Sequence, residues 1–552
     1  MSYAFNRLNI ALLAGLFIAL GVGGPVRAGE YDLVIDRTEV NVTGKPVKAL
    51  TINGELPAPT LRFREGEPVT VRVTNRLGET ASIHWHGFLI SPEMDGVPGL
   101  GGFPGILSGE TFTYRFTVRQ SGTYWYHSHS GTQEQAGLYG SIVIEPAKAD
   151  IVKVDRDYIV VLSDFPADDP DQILANLKAD SGYYNYSKRT IVDFFRDARR
   201  DGLWTSIRDR LDWGQMRMDP TDLADVASGY TFLVNGKSPE ANWTGFFKPG
   251  ERIRLRFINA SAMTYYDLRI PGLKMIVIQA DGQNVQPVPV DEFRIAVAET
   301  YDVIVTPKDD KAYTIFAESV DRSGYARGTL APRDGMTGDI PERRPRTLLT
   351  MADMGMAHGD MDQGSTRGMQ GMDHGDMAGM DQAPMGLSKE ETREPRGWAD
   401  ASTPKGMKAL SYSDLKSLTL QKDTREPGRE IRVRLGGNME RFIWTINGRK
   451  FEDAEPIQLQ YGERVKLTFV NETMMAHPMH LHGMFVQLVN GQPAGRLPNK
   501  HVVNVAPGQS YSVLLTADEI GEWAFHCHLL YHMSAGMMTK AVVARMTAEV
   551  SQ

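Results

Sequence analysis

Gly66-Glu67-Pro68-Val69-Thr70-Val71-Arg72-Val73-Thr74-Asn75 alternates apolar and polar side chains from Val69 onward, the period of a strand with one face packed inward. The same phrase recurs from Gly250-Glu251 through Ile253 to Asn259, and from Gly462-Glu463 through Val465 to Asn471, with the asparagine nine residues after the glycine each time. An Asn-Gly hairpin signal precedes every copy, at Asn53-Gly54, Asn235-Gly236 and Asn447-Gly448. Three related all-β domains follow, each an antiparallel sandwich punctuated by Gly, Pro and Asn.

The 552 residues exceed what one ordinary core organises. A net charge of -8 leaves no basic footprint, which excludes nucleic acid as a partner. The single cysteine, Cys527, rules out an intramolecular disulfide framework and favours a metal or catalytic role. Arg7 precedes an apolar run from Leu8 to Val22, broken by Gly23-Gly24-Pro25 and followed by Val26-Arg27-Ala28. This run is shorter than a spanning helix needs, so residues 1–28 read as a removed signal peptide and not as a membrane anchor. The mature chain then begins near Gly29 and works outside the cytoplasm.

Cys527 sits in Glu522-Trp-Ala-Phe-His-Cys-His-Leu-Leu-Tyr-His-Met-Ser-Ala-Gly-Met-Met538. If Phe525 to Leu529 is extended, His526 and His528 point one way and Cys527 the other, so two metal sites share three consecutive residues. His532 and Met537 add an imidazole and a thioether; with one more histidine these make the donor set of a blue copper site. Ten of the 13 histidines fall in four clusters: 84 and 86; 127 and 129; 477, 480 and 482; 526, 528 and 532. All four lie in the first and third repeats. The segment after Asn259 has none, which makes the second domain a spacer.

Residues 168–228 carry Ile173, Leu174 and Leu177, then Ile191, Phe194 and Phe195, at the spacing of short amphipathic helices that would cover a sheet edge. From Met351 to Met385 the composition turns to Met, Gly, Asp and His, with nine methionines in 35 residues. Such a segment cannot bury a core, and its thioethers are soft donors that select Cu(I).

The four histidine motifs resemble those of the three-domain multicopper oxidases. The methionine-rich segment and Asp212-Trp-Gly-Gln-Met-Arg-Met-Asp219 resemble the bacterial copper-resistance type of that family. The resemblance implies three cupredoxin-like Greek-key sandwiches at 29–147, 148–335 and 403–552, with a flexible methionine-rich linker at 336–402. It implies four copper ions: type 1 on His477, Cys527, His532 and Met537, with Met538 the adjacent alternative to Met537; type 2 on His84 and His480. One type 3 ion falls to His86, His127 and His528, the other to His129, His482 and His526. Asp95 becomes the acid that supplies protons to the cluster, and Cys527 the entry for electrons. Where related cuprous oxidases have a second acid after the second type 1 histidine, this chain has Met533. Where some have an acid four residues before the first, it has Thr473.

Met475 and Glu472, with Met354, Met356, Met361, Met372 and Met377 of the linker, are the candidate contacts for a copper substrate. The activity expected is Cu(I) oxidation coupled to reduction of O2 to water, in the periplasm. The alternatives are laccase-like oxidation of phenols and simple copper sequestration. Expected partners are O2, the electron donor and periplasmic copper-delivery proteins, with the chain itself a monomer. The copper-resistance type usually carries a twin-arginine signal, where this sequence has only Asn6-Arg7 before the apolar run; export through the general pathway and a misassigned start are the two readings of that difference.

Overall fold

The computed structural model describes residues 29–215, 218–350, 353 and 398–545. The signal-peptide reading of 1–28, and Met354, Met356, Met361, Met372 and Met377, lie outside them. The described strands form three pairs of sheets, giving three cupredoxin-like sandwiches in chain order. In the first, Leu33, Val71 and Val73 of one sheet meet Phe63, Tyr124 and Ile142 of the other in a continuous core.

Each repeated phrase is the central strand of its domain: Pro68–Asn75, Ile253–Asn259 and Arg464–Asn471. One neighbour departs from the antiparallel expectation. The first strand of each domain, Gly29–Val40, Arg156–Pro166 or Arg429–Asn438, runs parallel to the repeat strand. The chain reaches that position because the Asn-Gly hairpin is followed by a strand in the opposite sheet before it returns, as Ala58–Arg64 does in the first domain. Both residues of every Asn-Gly turn have positive φ, for example 53° at Asn447 and 78° at Gly448, which suits the type I′ geometry. The asparagine side chain then accepts a backbone N–H of the first strand, from Val34, Val161 or Arg434.

The asparagine that closes each phrase is buried and clamps the loop behind it. Its amide donates to the carbonyl of Glu79, Thr264 or Met475, and its oxygen accepts the N–H two residues on. These loops deliver His84 in the first domain and His477 in the third.

The insertion in the second domain contains three helices, Pro170–Ala179, Ile191–Asp201 and Leu203–Gln215, the first two capped by Asp169 and Thr190. Ile173 and Leu177 are buried as their spacing predicts, whereas Ile191 and Phe195 are exposed, so the second helix forms without covering the core. The second and third domains are locked by Lys500, whose fully buried ammonium lies 2.9 Å from Asp281 and 3.0 Å from Glu299. Among the described residues no helix is long and apolar enough to cross a membrane.

Asp353 joins the flanks of the methionine-rich segment. Its carboxylate accepts from Thr350 on one side and from the Ala399 N–H, at 2.5 Å, on the other. The flanks therefore meet at one point, and the wiring between domains does not depend on what lies between them. Deleting residues 354–397 should leave the thermal unfolding midpoint within about 2 °C of the parent by calorimetry, since the chain length between two points that already meet changes closure entropy only slowly. A large drop would make the segment part of the fold.

Candidate metal centre

Strand Gly521–Cys527 pairs antiparallel with His477–Leu481, setting His480 opposite His526 and Met479 opposite Cys527. Residues opposite one another share a face, so parity sorts the ligands. His477 falls with Cys527 on one side. His480 and His482 fall with His526 on the other.

On the cysteine side, Cys527 Sγ lies 3.5 Å from His477 Nδ1 and 3.8 Å from His532 Nδ1, and the two nitrogens are 3.1 Å apart. Three soft or borderline donors thus converge on one point, a grouping able to hold a metal. The outward nitrogens are tied back: His477 Nε2 to the Thr473 hydroxyl at 2.6 Å, and His532 Nε2 to Asp225 Oδ2 at 2.8 Å. Thr473 in turn donates to Asn471, the clamp of the repeat, at 2.8 Å. Trp444 stacks on His532 with ring centroids 3.8 Å apart. Burial pushes the Cys527 thiol far up, so a metal's charge is what makes the thiolate accessible here. Burial, then the neighbouring His532, holds His477 neutral, its lone pair free for coordination. Met537 is fully buried in the core that includes Cys527; Met538 is paired with His526 and packs against Val97 and Leu100 of the first domain.

On the histidine side, two domains contribute four imidazoles each. His84 stacks on His482, and His86 on His480, both at 3.9 Å. His526 Nε2 is 3.3 Å from His129 Nε2 and 3.1 Å from His482 Nε2. Groups able to hold a metal are His129 with His482 and His526, His84 with His480 and His482, and His84 with His86 and His127. Ring nitrogens of His84, His86, His127, His480 and His528 are buried without a hydrogen-bond partner among the described residues. Such orphans are costly in a finished interior, and metal ions are what this set fits.

The backs of these rings are held by anions and carbonyls. Asp95 accepts from His482 Nδ1 at 2.8 Å through its carboxylate and from His84 Nδ1 at 2.8 Å through its backbone carbonyl. Glu134 lies 2.6 Å from His127 Nδ1, its carboxyl pushed well up, chiefly by burial and then by Asp164. His480 Nδ1 donates to the His501 carbonyl at 2.8 Å and His526 Nδ1 to that of Cys527 at 3.0 Å. These contacts fix tautomers as outer partners of metal-bound histidines do.

Asp225, the partner of His532, lines a cleft of about 510 Å³ together with Met218, Met439, Met475, Asp219 and Asp222. Met475, a candidate substrate contact in the sequence, lines this cleft. Glu472 is instead taken up by Arg434 in a two-pronged, exposed pair, and the carboxylate bonded to a histidine of this site is Asp225. Asp225 belongs to the insertion for which sequence offers only a covering role, and it lies 307 residues from its partner. Nothing in its immediate sequence signals that contact.

Cys527→Ser should abolish intense blue absorption and nearly all oxidase turnover while cluster copper persists, read by visible spectroscopy, turnover and metal analysis; a blue, active variant overturns the site. If Met537 is the thioether donor of the cysteine site, Met537→Leu should raise its reduction potential because a weak donor is replaced by hydrocarbon, and Met538→Leu should leave it unchanged. Redox titration showing the reverse pattern would make Met538 the thioether donor.

Family profiles described as multicopper oxidase match residues 34–149, 204–334 and 424–546. The chain is 49% identical to copper resistance protein A of Escherichia coli, over 95% of this chain and 94% of that one. It is 30% identical to the multicopper oxidase MmcO of Mycobacterium tuberculosis, over 91% and 84% of the two chains. Its fold is similar to the crystal structure of Fet3p, a multicopper oxidase that functions in iron import, with a TM-score of 0.67, 19% identity and coverage of 94% and 90%. By family profile and by near full-length identity, this chain belongs to the multicopper oxidases, in the copper resistance protein A group, and is an oxidoreductase whose cofactor is four copper ions.

Proposed function

We propose that the protein is a periplasmic oxidase that takes electrons from Cu(I), one at a time, and delivers four to O2, serving copper resistance. The observation that carries this reading is the contact with His532 of Asp225, which lines a cleft carrying thioethers and carboxylates. Met218, Met439 and Met475 offer soft sulfur, which suits Cu(I), and Asp219, Asp222 and Asp225 supply a field that draws cations in. Among the described residues the lining contains no aromatic ring to stack a phenol. The 49% identity to a copper resistance protein supports a role in copper resistance, and the apolar N-terminal run supports export.

His477, Cys527, His532 and Met537 would hold the type 1 ion, and His84 and His480 the type 2 ion. His86, His127 and His528 would hold one type 3 ion, and His129, His482 and His526 the other. Bound copper supplies one-electron acceptance at the cysteine site and four-electron reduction of O2 at the cluster. The chain's own part is to position and connect. Cys527 is bonded through backbone to His526 and His528, so the two sites are joined by consecutive residues. Asp95, between His84 and His482, holds a carboxylate beside the cluster where protons are consumed. Four Cu(I), O2 and four protons give four Cu(II) and two water molecules.

Asp225→Asn tests the reading. Catalytic efficiency on Cu(I) should fall on the order of 10–100-fold, as expected for loss of an outer partner of a metal ligand, with blue absorption retained. Efficiency on a bulky organic donor should fall less. Equal losses on both donors, or an unchanged rate on Cu(I), would remove Asp225 and its cleft from the substrate path.

A further inference from the structure

Met474 and Met475 are consecutive, yet they line different pockets. Met475 belongs to the cleft that carries Asp225, and Met474 to an adjoining pocket of about 200 Å³ lined also by Met218, Met439, Thr473 and Trp444. Met218 and Met439 line both, so the two spaces share a wall. The smaller pocket backs onto both histidines of the cysteine site. Trp444 stacks on His532 with ring centroids 3.8 Å apart and meets His477 edge to face at 5.3 Å. The Thr473 hydroxyl is 2.6 Å from His477 Nε2.

The fold reserves this place for the indole. Trp444 stands in the strand Ile443–Ile446 opposite Gly437 of the strand Arg429–Asn438. A Cβ on Gly437 would come within 2.6 Å of Trp444 Cε3 and 2.9 Å of Cζ3, rigid ring atoms, so glycine is what lets the strand and the ring approach. Gly437 lines the same pocket. The ring is fully buried and its Nε1 has no hydrogen-bond partner among the described residues. A buried indole N–H usually finds one, so what this residue offers here is its π surface. Met439 and Met474 are half-buried and thus reachable from solution. Thioethers select Cu(I), and indole is the aromatic ring that attracts a cation best. The space is small for an organic donor, for which pockets of about 300–1,000 Å³ are usual, and ample for an ion.

We infer that the smaller pocket is a second Cu(I) site, in which Met218, Met439 and Met474 hold the ion against Trp444, and that this ring passes the electron to His532. The inference rests on Cu(I) being the substrate, as proposed above. Each ion gives up one electron, which the cysteine site accepts, and departs as Cu(II), for which thioethers have less affinity. Both sites therefore end on His532, one beside Asp225 and the other behind Trp444.

Silver(I) is a soft ion of the same charge that the protein cannot oxidise, so it reports binding alone. Calorimetric titration of Ag(I) into the copper-loaded full chain should give one equivalent fewer for Met474→Leu than for the parent. The near-ultraviolet tryptophan difference band raised by Ag(I) should vanish in Met474→Leu and persist in Met475→Leu. Equal stoichiometry and an equal band in the parent and Met474→Leu would overturn the site. For the electron step, Trp444→Leu should lower kcat on Cu(I) on the order of tenfold, more than on a bulky organic donor, and Trp444→Phe should restore much of it. Equal losses on both donors would reduce Trp444 to a support for His532 and overturn its role as a conduit. If Trp444→Leu fails to fold, the silver titration of Met474→Leu decides. A parent protein that does not turn over Cu(I) would refute the substrate reading itself. Normal turnover of Cu(I) by the parent, with kcat/KM unchanged in both Met474→Leu and Trp444→Leu, would refute the second site alone.

Discussion

The whole arrangement depends on the alternation of one extended strand. Because successive side chains leave opposite faces, Cys527 faces a different site from His526 and His528 while remaining covalently adjacent to both. Its partner strand obeys the same parity: His477 shares the face of Cys527, and His480 that of His526. A register slip of one residue would exchange the two sets and destroy both sites at once. The spacing of His477-Pro-Met-His480-Leu-His482 is thus a consequence of pleating: an odd step separates the sites and an even step keeps two ligands together.

Parity places ligands within a domain, but the cluster needs two domains in register, and that is settled by buried charge. Asp95 of the first domain holds His84 of its own and His482 of the third. Lys500 of the third is sealed against Asp281 and Glu299 of the second, with its ammonium also over the rings of Tyr301 and Tyr412. Arg256 of the second domain bonds Asp302 and reaches Thr123 of the first. Buried ion pairs of this kind add little net stability because desolvation offsets attraction, but breaking one by removing a partner costs about 3–5 kcal/mol. They therefore penalise any other docking far more than they reward the right one, which is what a site shared between domains requires.

Sequence alone carries the repeat, the three sandwiches and the copper motifs, because these are local patterns: period two, Asn-Gly turns, histidines one or two residues apart. The histidines of the four motifs gather in two groups, while Met537 is buried in the core that includes Cys527 and Met538 pairs with His526. What stays hidden is every group that acts from another part of the chain. Asp225 reaches His532 across 307 residues, and Asp281 reaches His501 across 220. A single aspartate on an irregular loop has no periodicity to betray it. Glu472 illustrates the converse. Its position beside the type 1 motif is right in sequence, but Arg434 on the neighbouring strand claims its carboxylate.

The second domain shows why absence of histidine does not make a domain a spacer. Asn259 keeps the same clamp as Asn75 and Asn471, closing a loop that carries no ligand, so the clamp belongs to the fold and not to the chemistry. In the third domain that same clamp is put to use: Asn471 accepts from Thr473, whose oxygen meets His477 Nε2, so a structural asparagine helps fix the orientation of a metal-binding ring. The second domain reaches the metal sites by a different route, with Asp225 against His532, the Ala262 carbonyl accepting the Leu530 N–H, and Asp281 against His501. Its contribution is made of anions and carbonyls, the groups that orient imidazoles. The candidate ligands come from the first and third domains, and the second holds several of them in place from behind.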